Sequence, residues 1–507
     1  MLTYSFSEKG SESLYEYLYR CIKQDIMEGA LAPGDRLPSK RSFAKHLNVS
    51  TITIENAYAQ LLAEGYIYSI PKKGYYTADI SWETPTGGLL PAPRETPTDR
   101  LLPASWEMPT GGLLPAPVDV NGSFSPKSSQ PGGLLCPGQQ KEAYFADFTS
   151  SQTHPDTFPF SIWAKLMREV IGDSRAALME NPPSGGILPL RQEISKYLRQ
   201  FRGMDAAPEQ IVVGAGTEYL YGLLIQLLGH EKIYGVEDPG YQKVSAIIKG
   251  CHAPCCHIPL DGQGIRIGSL EKSGAEVVHI SPSHHFPTGI IMPASRRFQL
   301  LGWAAREGQR YIIEDDYDSE FRFMGRPIPA LQSIDSMGKV IYMNTFAKTL
   351  ASTIRISYMV LPWHLVERFY QEMGFYACTV SNFEQYTLTR FLQGGHFERH
   401  INRMRNFYHR QRDLLLGYLK GSPLSSRITI TEEDAGLHFL MQVDTAASNG
   451  DIMQRAKAQG LCLSSLSQYY HNGCPPKAHT FLMNYASIPP GHMQEAISRL
   501  CRVFEGI

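Results

Sequence analysis

Lys348 ends the string Asn344-Thr345-Phe346-Ala347-Lys348, which follows the apolar run Val340–Met343, and Arg355 stands seven residues further on. An amine at a strand exit attacks carbonyls once desolvation or nearby cationic charge lowers its pKa. After a second run, Tyr311–Ile313, comes Glu314-Asp315-Asp316-Tyr317-Asp318, a carboxylate cluster that suits an acid site or a metal site. A third run, Val277–Ile280, leads into Ser281-Pro282-Ser283-His284-His285-Phe286-Pro287-Thr288-Gly289. A fourth, Ile233–Val236, leads into Glu237-Asp238-Pro239-Gly240-Tyr241 and sets an aromatic ring where it can stack on a planar heterocycle. A fifth, Ile211–Val213, leads into Gly214-Ala215-Gly216-Thr217 and then a helical pattern from Leu220 to Leu228. Free backbone N–H groups plus a hydroxyl at a helix start make a phosphate cradle. Singly, each feature has a plainer reading: a common Gly-rich turn, a loop tyrosine on the surface, a solvated lysine.

The elements that must position these groups are short β-rich runs alternating with helical stretches from about Tyr144 to the end, some 360 residues. That alternation predicts a mostly parallel sheet covered by helices. In such sheets ligands bind outside the carboxyl ends of the strands, where this chain concentrates its chemistry. Together the five exits fit one cofactor, pyridoxal 5'-phosphate (PLP). It needs a lysine for its aldehyde, a carboxylate for its pyridinium nitrogen, a donor to the ring oxygen, a stacking ring and an anion cradle.

The first 78 residues carry a different pattern. Leu14, Leu18, Ile22 and Ile26 recur at helical spacing, which predicts a helix over 12–28 ended near Gly29. A second helix starts after Pro38 with Ser39 as N-cap, and a third after the turn Asn48-Val49-Ser50 with Ser50 as cap. Gly65 precedes a predicted hairpin, Tyr66–Ile70 and Tyr75–Thr77, turning at Pro71-Lys72-Lys73-Gly74. This order is that of a winged helix-turn-helix. The region nets only +1, yet 36–46 carry Arg36, Lys40, Arg41 and Lys45 with no acid. Recognition-helix N-termini meet base edges while flanking cations hold phosphate. Ser50, Thr51, Ile52 and Thr53 offer hydroxyls and methyls for base edges. Arg36, Ser39, Lys40 and Arg41, with Lys72, Lys73 and Gly74 at the wing tip, suit backbone or minor-groove contact. A small three-helix protein-contact domain with a solvated basic face is the alternative at this point.

The string GALAPGDRLPSKRSFAKHLNVSTITIENAYAQLLAEGYI, Gly29 to Ile67, resembles the GntR-type winged-helix signature across nearly its whole length. SPSHHFPTG from Ser281, IEDDYDSEFRF from Ile313, Pro329-Ala330-Leu331 and NTFAKTLASTIRISY from Asn344 resemble fold-type-I aminotransferases, and the combination resembles the MocR branch of GntR regulators. The resemblance implies an α/β chain: a winged helix-turn-helix (1–78), a long linker (79–143), and a PLP-binding fold-type-I domain with a smaller C-terminal α/β subdomain (144–507). It implies that Lys348 holds the cofactor aldehyde as a Schiff base and Asp315 binds the pyridine nitrogen. Tyr317 then donates to the ring oxygen with His284 nearby, Tyr241 stacks, and Gly216, Thr217, Thr345 and Arg355 hold the phosphate. A head-to-tail homodimer on double-stranded operator DNA, responding to PLP or a small-molecule amino effector, is the implied assembly. Two departures stand out. The family's usual Gln is Glu218 here, and a carboxylate beside a phosphate repels it unless it turns away or pairs with a cation. No arginine occurs in TFLMNYA, Thr480–Ala486, where aminotransferases commonly keep a substrate clamp. Lys243 or an arginine from elsewhere are the substitutes.

Composition fits this organisation. A chain of 507 residues exceeds one core and splits into domains. With 43% hydrophobic and 19% charged residues it is largely globular, and a net charge of −1 excludes global attraction to nucleic acid or anionic membranes. Between Ser81 and Gly138 Pro and Gly supply 19 of 58 residues, and a twelve-residue unit recurs from Thr84, Thr96 and Met108. This reads as a tether, or as a docking strip through its paired leucines, Trp82 and Trp106. Nine scattered cysteines, no leader pattern and no long apolar run point to a cytoplasmic protein off the membrane. The cluster Cys251-His252-Ala253-Pro254-Cys255-Cys256-His257 reads as a buried strand rather than a zinc site. Two functional classes compete with a regulator: a working aminotransferase carrying a DNA-binding module, and a DNA-binding scaffold with a dead pocket.

Overall fold

The computed structural model describes residues 4, 6, 12–70, 73–79, 144–150, 152–153, 157–322, 329–433, 436–471 and 479–507. Lys72 and residues 80–143 of the expected tether, with its repeats, Trp82 and Trp106, lie outside the described residues.

Three helices and a hairpin open the chain. Helix α1 (Leu14–Met27) buries Leu18, Ile22 and Ile26, and Glu16 reaches back to the Ser13 amide at 3.0 Å. Helix α2 (Lys40–Leu47) starts on Ser39, whose hydroxyl accepts from the Ser42 amide at 3.2 Å, a cap worth about 1 kcal/mol. It ends on Asn48 at φ 54°, a left-handed position that Asn tolerates. Helix α3 (Thr51–Ala63) starts on Ser50, which accepts from the Thr53 amide at 3.1 Å. Strand β1 (Ile67–Ile70) pairs antiparallel with β2 (Gly74–Thr77), Ile67 opposite Thr77. The chain before α2 joins this wing, since Arg36 bridges to Tyr76 and the Leu37 amide donates to Tyr75 at 2.9 Å.

A short strand β3 (Ala146–Asp147) leads into the large sheet, built from β4 (Ile211–Gly214), β5 (Tyr234–Asp238), β6 (Cys255–Asp261), β7 (Gly264–Ile265), β8 (Val277–Ile280), β9 (Tyr311–Asp315), β10 (Val340–Thr345) and β11 (Ser357–Val360). Their order is β4-β11-β10-β9-β8-β5-β6-β7. Neighbours from β10 to β6 are parallel, whereas β11 runs against both β10 and β4. Strand side chains alternate between faces. Val212, Ile313, Ile341 and Met343 pack under the helices Thr217–Leu228, Gln242–Gly250 and Trp363–Met373, while Ile211, Val213 and Tyr342 pack under Leu188–Arg202 and Asn382–Gln393. The Cys255–His257 segment forms a strand as expected, but its side chains are half-buried. It lies next to last in the sheet, flanked outside by the two-residue β7.

The C-terminal part adds β12 (Ile428–Thr431), β13 (His438–Val443), β14 (Leu461–Cys462), β15 (Ser464–Ser465) and β16 (Thr480–Asn484). A four-stranded sheet, β12-β13-β16-β15, rests on the helices His396–Lys420 and Met493–Val503, and β14 pairs back with β3.

The winged helix docks on the large sheet domain, a contact that no local pattern signals. The Ala294 amide donates to the Glu64 carbonyl at 2.8 Å, and Gly65 (φ +73°) lets α3 turn against Pro293, whose Cα would lie 3.0 Å from any added Cβ. Glu64 is only 2% exposed and accepts from Tyr19 at 2.6 Å and from Gln60 at 2.5 Å. One apolar cluster runs from Phe43, Ile54 and Tyr58 through Tyr66 to Phe298 and Trp303.

Candidate functional site

Strand register assembles the site. Thr345 lies opposite Ser357, and Ser357 opposite Gly214, so the ends of β10, β11 and β4 stand side by side. On the other flank of β10, Met343 pairs with Asp315 at the end of β9. The short helix Phe346–Thr349 starts on Thr345, whose hydroxyl oxygen accepts from the Ala347 amide at 3.1 Å and from the Ser357 hydroxyl at 2.8 Å. Lys348 leaves this helix turn. Burial pushes its amine below the ordinary lysine range, against an upward pull from Asp318 and Asp315.

Asp315 Oδ2 accepts from the Tyr221 hydroxyl at 3.1 Å and lies 3.5 Å from His279 Nε2. Tyr221 and His279 are themselves 2.7 Å apart. The other oxygen, Oδ1, is buried and has no hydrogen-bond partner among the described residues. His284 Nδ1 lies 2.8 Å from Asp318 Oδ2 and 3.3 Å from the Tyr317 hydroxyl, and its Nε2 is likewise buried without a partner. Burial first, then Asp318, push the Tyr317 phenol well up, so it stays protonated and able to donate. Tyr241 is half-exposed at the N-cap of Gln242–Gly250, edge-on to Phe286 with centroids 5.7 Å apart.

Gly216, at φ +95°, precedes Thr217, the first residue of the helix Thr217–Leu228. Arg355 lies against Gly216 so closely that any Cβ there would strike its guanidinium. Glu218 joins them: one carboxylate oxygen pairs with Arg355 and the other with Lys243. Lys243, weighed as a substitute substrate clamp, is engaged by Glu218 instead.

The acidic run at the end of β9 does not converge on one point. Glu314 accepts from the Leu331 and Gln332 amides at 2.7 and 2.9 Å, pinning the Pro329-Ala330-Leu331 turn. Asp316 faces away from the site and pairs with Arg202 at 2.8 Å, accepting also from Tyr342 at 2.6 Å. Alternation along the strand end throws consecutive carboxylates to opposite sides. Among the described residues no three His, Cys, Asp or Glu side chains are placed to hold a metal ion. Tyr221, His279 and Asp318 were not singled out from sequence. Tyr221 and His279 sit within apolar runs that read as core, and only the packing of Thr217–Leu228 on the sheet shows their polar ends meeting Asp315.

On the winged helix Arg36, Arg41, Lys73, Ser50 and Thr51 are exposed. Ile52 at the start of α3 is 67% exposed, leaving a methyl-bearing group in solvent beside Thr51. Lys40 is held at 2.6 Å by Glu55 of α3, which partly neutralises the basic stretch. The Ser50 and Thr53 hydroxyls lie 2.8 Å apart within the cap of α3, and Ser39 caps α2. Gly74 opens β2 at φ +119°, its Cα alongside the Arg36 side chain.

Residues 14–76 match the bacterial regulatory proteins of the gntR family. Over 491 residues, 96% of each chain, the sequence is 33% identical to the uncharacterized HTH-type transcriptional regulator YdeL of Bacillus subtilis (strain 168). The chain belongs to the MocR-type GntR regulators. It is 31% identical to the probable rhizopine catabolism regulatory protein MocR of Rhizobium meliloti, covering 97% of this chain and 94% of that one. The sheet domain of this GntR regulator has the fold of the aminotransferases. It superposes on Pyrococcus horikoshii kynurenine aminotransferase with a TM-score of 0.63 at 24% identity, over 72% of this chain and 91% of that one. The chain is therefore an HTH-type regulator with an aminotransferase-like domain, and the regulatory role is favoured over an enzymatic one. No described helix is long and apolar enough to cross a membrane.

Proposed function

We propose that this regulator binds PLP at Lys348 and reads operator DNA through α3 and the wing in response to PLP or an amino compound. In this reading residues 1–78 contact DNA, 79–143 span, and 144–507 sense, with two chains in a head-to-tail homodimer facing neighbouring half-sites. The observation that carries the cofactor reading is the juxtaposition of a downshifted, half-buried Lys348 amine and the bare Oδ1 of Asp315 at the ends of the adjoining strands β10 and β9. A protonated ring nitrogen satisfies that oxygen. Tyr317, supported by His284 and Asp318, donates to the ring oxygen; Tyr241 lies over the ring; Gly216, Thr217, Thr345 and Arg355 receive the phosphate. Bound there, PLP supplies an electrophilic carbon and an electron sink. The chain's residues orient it and shield it from water.

Coupling to DNA requires that the ligand favour one arrangement of reader and sensor over another. The Glu64–Ala294 contact is one place where that preference can act, because it joins α3 to the sheet domain. The decisive experiment is an absorbance spectrum of the purified full chain with PLP. A visible band lost in Lys348→Ala is expected; no band in the unaltered chain overturns the cofactor reading. Incubation with amino donors and keto acids then separates sensing from turnover, and steady release of product would favour the aminotransferase alternative.

A further inference from the structure

The cradle contains an anion of its own. Glu218 lies in the first turn of Thr217–Leu228, and its two oxygens are divided between Arg355, 137 residues away in the chain, and Lys243, 25 residues away. The Arg355 guanidinium fills the notch above Gly216, within reach of the phosphate position the Proposed function assigns, and the added Cβ that probes this notch also meets Glu218 Oε2 at 2.8 Å. The three side chains are 31% (Glu218), 48% (Arg355) and 49% (Lys243) exposed, so a ligand from solvent can reach and rearrange them.

We infer that Glu218 competes with the cofactor phosphate for Arg355, and that Lys243 keeps hold of the carboxylate when the phosphate displaces it from Arg355. The inference rests on the PLP reading above and assigns to the triad the threshold of free cofactor at which the site fills. With Lys243 neutralising Glu218, Arg355 is left as the cation that attracts a phosphate of charge about −1.5 to −2. A phosphate entering beside an unpaired Glu218 would meet like-charge repulsion. Paired with Lys243, the same carboxylate can swing clear and stay neutralised. Burial alone would raise the Glu218 carboxyl, but the bond from Lys243 and the nearby Arg355 bring it below the ordinary glutamate range, so the competitor is ionised at neutral pH.

This makes the two partners of Glu218 respond in opposite directions. Glu218→Gln removes the competing charge and is expected to tighten PLP binding roughly tenfold, about 1.4 kcal/mol. Lys243→Ala strands the carboxylate on Arg355 and is expected to weaken PLP several-fold. The double variant is expected to bind like Glu218→Gln, because Lys243 acts through Glu218. The test is a PLP titration of the full chain and these three variants by absorbance, with pyridoxal, which lacks the phosphate, as the control ligand and inorganic phosphate as competitor. Pyridoxal affinity is expected to stay constant across the series, and inorganic phosphate, titrated with PLP held well below its Kd, to block PLP uptake at lower concentration in Glu218→Gln. Exposed ion pairs contribute little to folding, and a far-ultraviolet dichroism melt verifies that the variants fold. If the unaltered chain takes up PLP and a folded Glu218→Gln binds it equally or more weakly, the inference falls while the cofactor reading stands. A Lys243→Ala loss that persists in the double variant places Lys243 on the phosphate itself and also overturns it. If none of the four chains takes up PLP, the cofactor reading falls and the inference with it.

Discussion

Replacing Asp315 by asparagine removes one charge from the centre of the site and little else. The side chain is isosteric; its amide oxygen can keep the Tyr221 hydroxyl bond now made at 3.1 Å, and its amide nitrogen occupies the place of the bare Oδ1. What disappears is a charged acceptor for a protonated ring nitrogen. Hydrogen bonds to charged groups contribute about 1.5–3 kcal/mol, so PLP binding is expected to weaken by roughly ten- to a hundredfold. A second consequence follows from Lys348, whose amine is held up partly by Asp315 against burial. Without that charge the amine loses its proton at still lower pH, and the midpoint of the rise in PLP capture rate with pH moves down. Equilibrium titration by absorbance gives the first quantity, and stopped-flow capture across pH gives the second. An affinity within twofold of the unaltered chain, with an unchanged melt, would refute the assignment of Asp315 to the ring nitrogen.

Other outcomes are equally open to measurement. Arg41→Ala and Thr51→Ala are both expected to weaken operator binding; the first lowers the salt slope by about 1 without changing base preference, the second costs about 1–3 kcal/mol at one base position, and identical losses on random DNA would contradict these roles. Burial pushes the Glu237 carboxyl up, against a downward pull from the Ser281 amide and with a smaller push from Asp315, raising it from 4.5 to about 8. Between those values the folded chain holds a proton that the unfolded chain has lost, so stability falls as pH rises through the window. Glu237→Gln is expected to flatten this slope and stabilise the chain by roughly 2–4 kcal/mol at pH 8, with no change at pH 4; denaturant titrations showing parallel pH profiles would exclude it.

How much of the site was legible depends on the range of the interaction that builds each part. The start of α2 on Ser39, the start of α3 on Ser50 and the stop at Asn48 involve groups within three or four residues of one another, so residue type and spacing announce them. The strand exits were legible for a related reason. Val277–Ile280 is a strand at the expected bounds, and β9 and β10 run two residues past the expected Ile313 and Met343, to Asp315 and Thr345, because β9 keeps pairing with parallel β10 as far as Asp315 and β10 with antiparallel β11 as far as Thr345.

What the sequence alone determined is the inventory: a capped helix-turn-helix with a wing, and a lysine, carboxylates, aromatic rings and a glycine cradle at the ends of β-rich runs. Which carboxylate does what was decided by the tertiary structure. Glu314, Asp315, Asp316 and Asp318 are nearly adjacent in sequence, yet they go to the Leu331 turn, Tyr221, Arg202 and His284. The departure at Glu218 could be read either as repulsion or as an ion pair, and only the closing of β11 beside β4 brings Arg355 to it. The burial of Glu64 against Ala294 likewise depends on two segments that the sequence places on opposite sides of a long spacer. Local propensity acts over one turn of chain, whereas charges and faces pair across whatever the folded sheet sets side by side, and that proximity is written in no single stretch of residues.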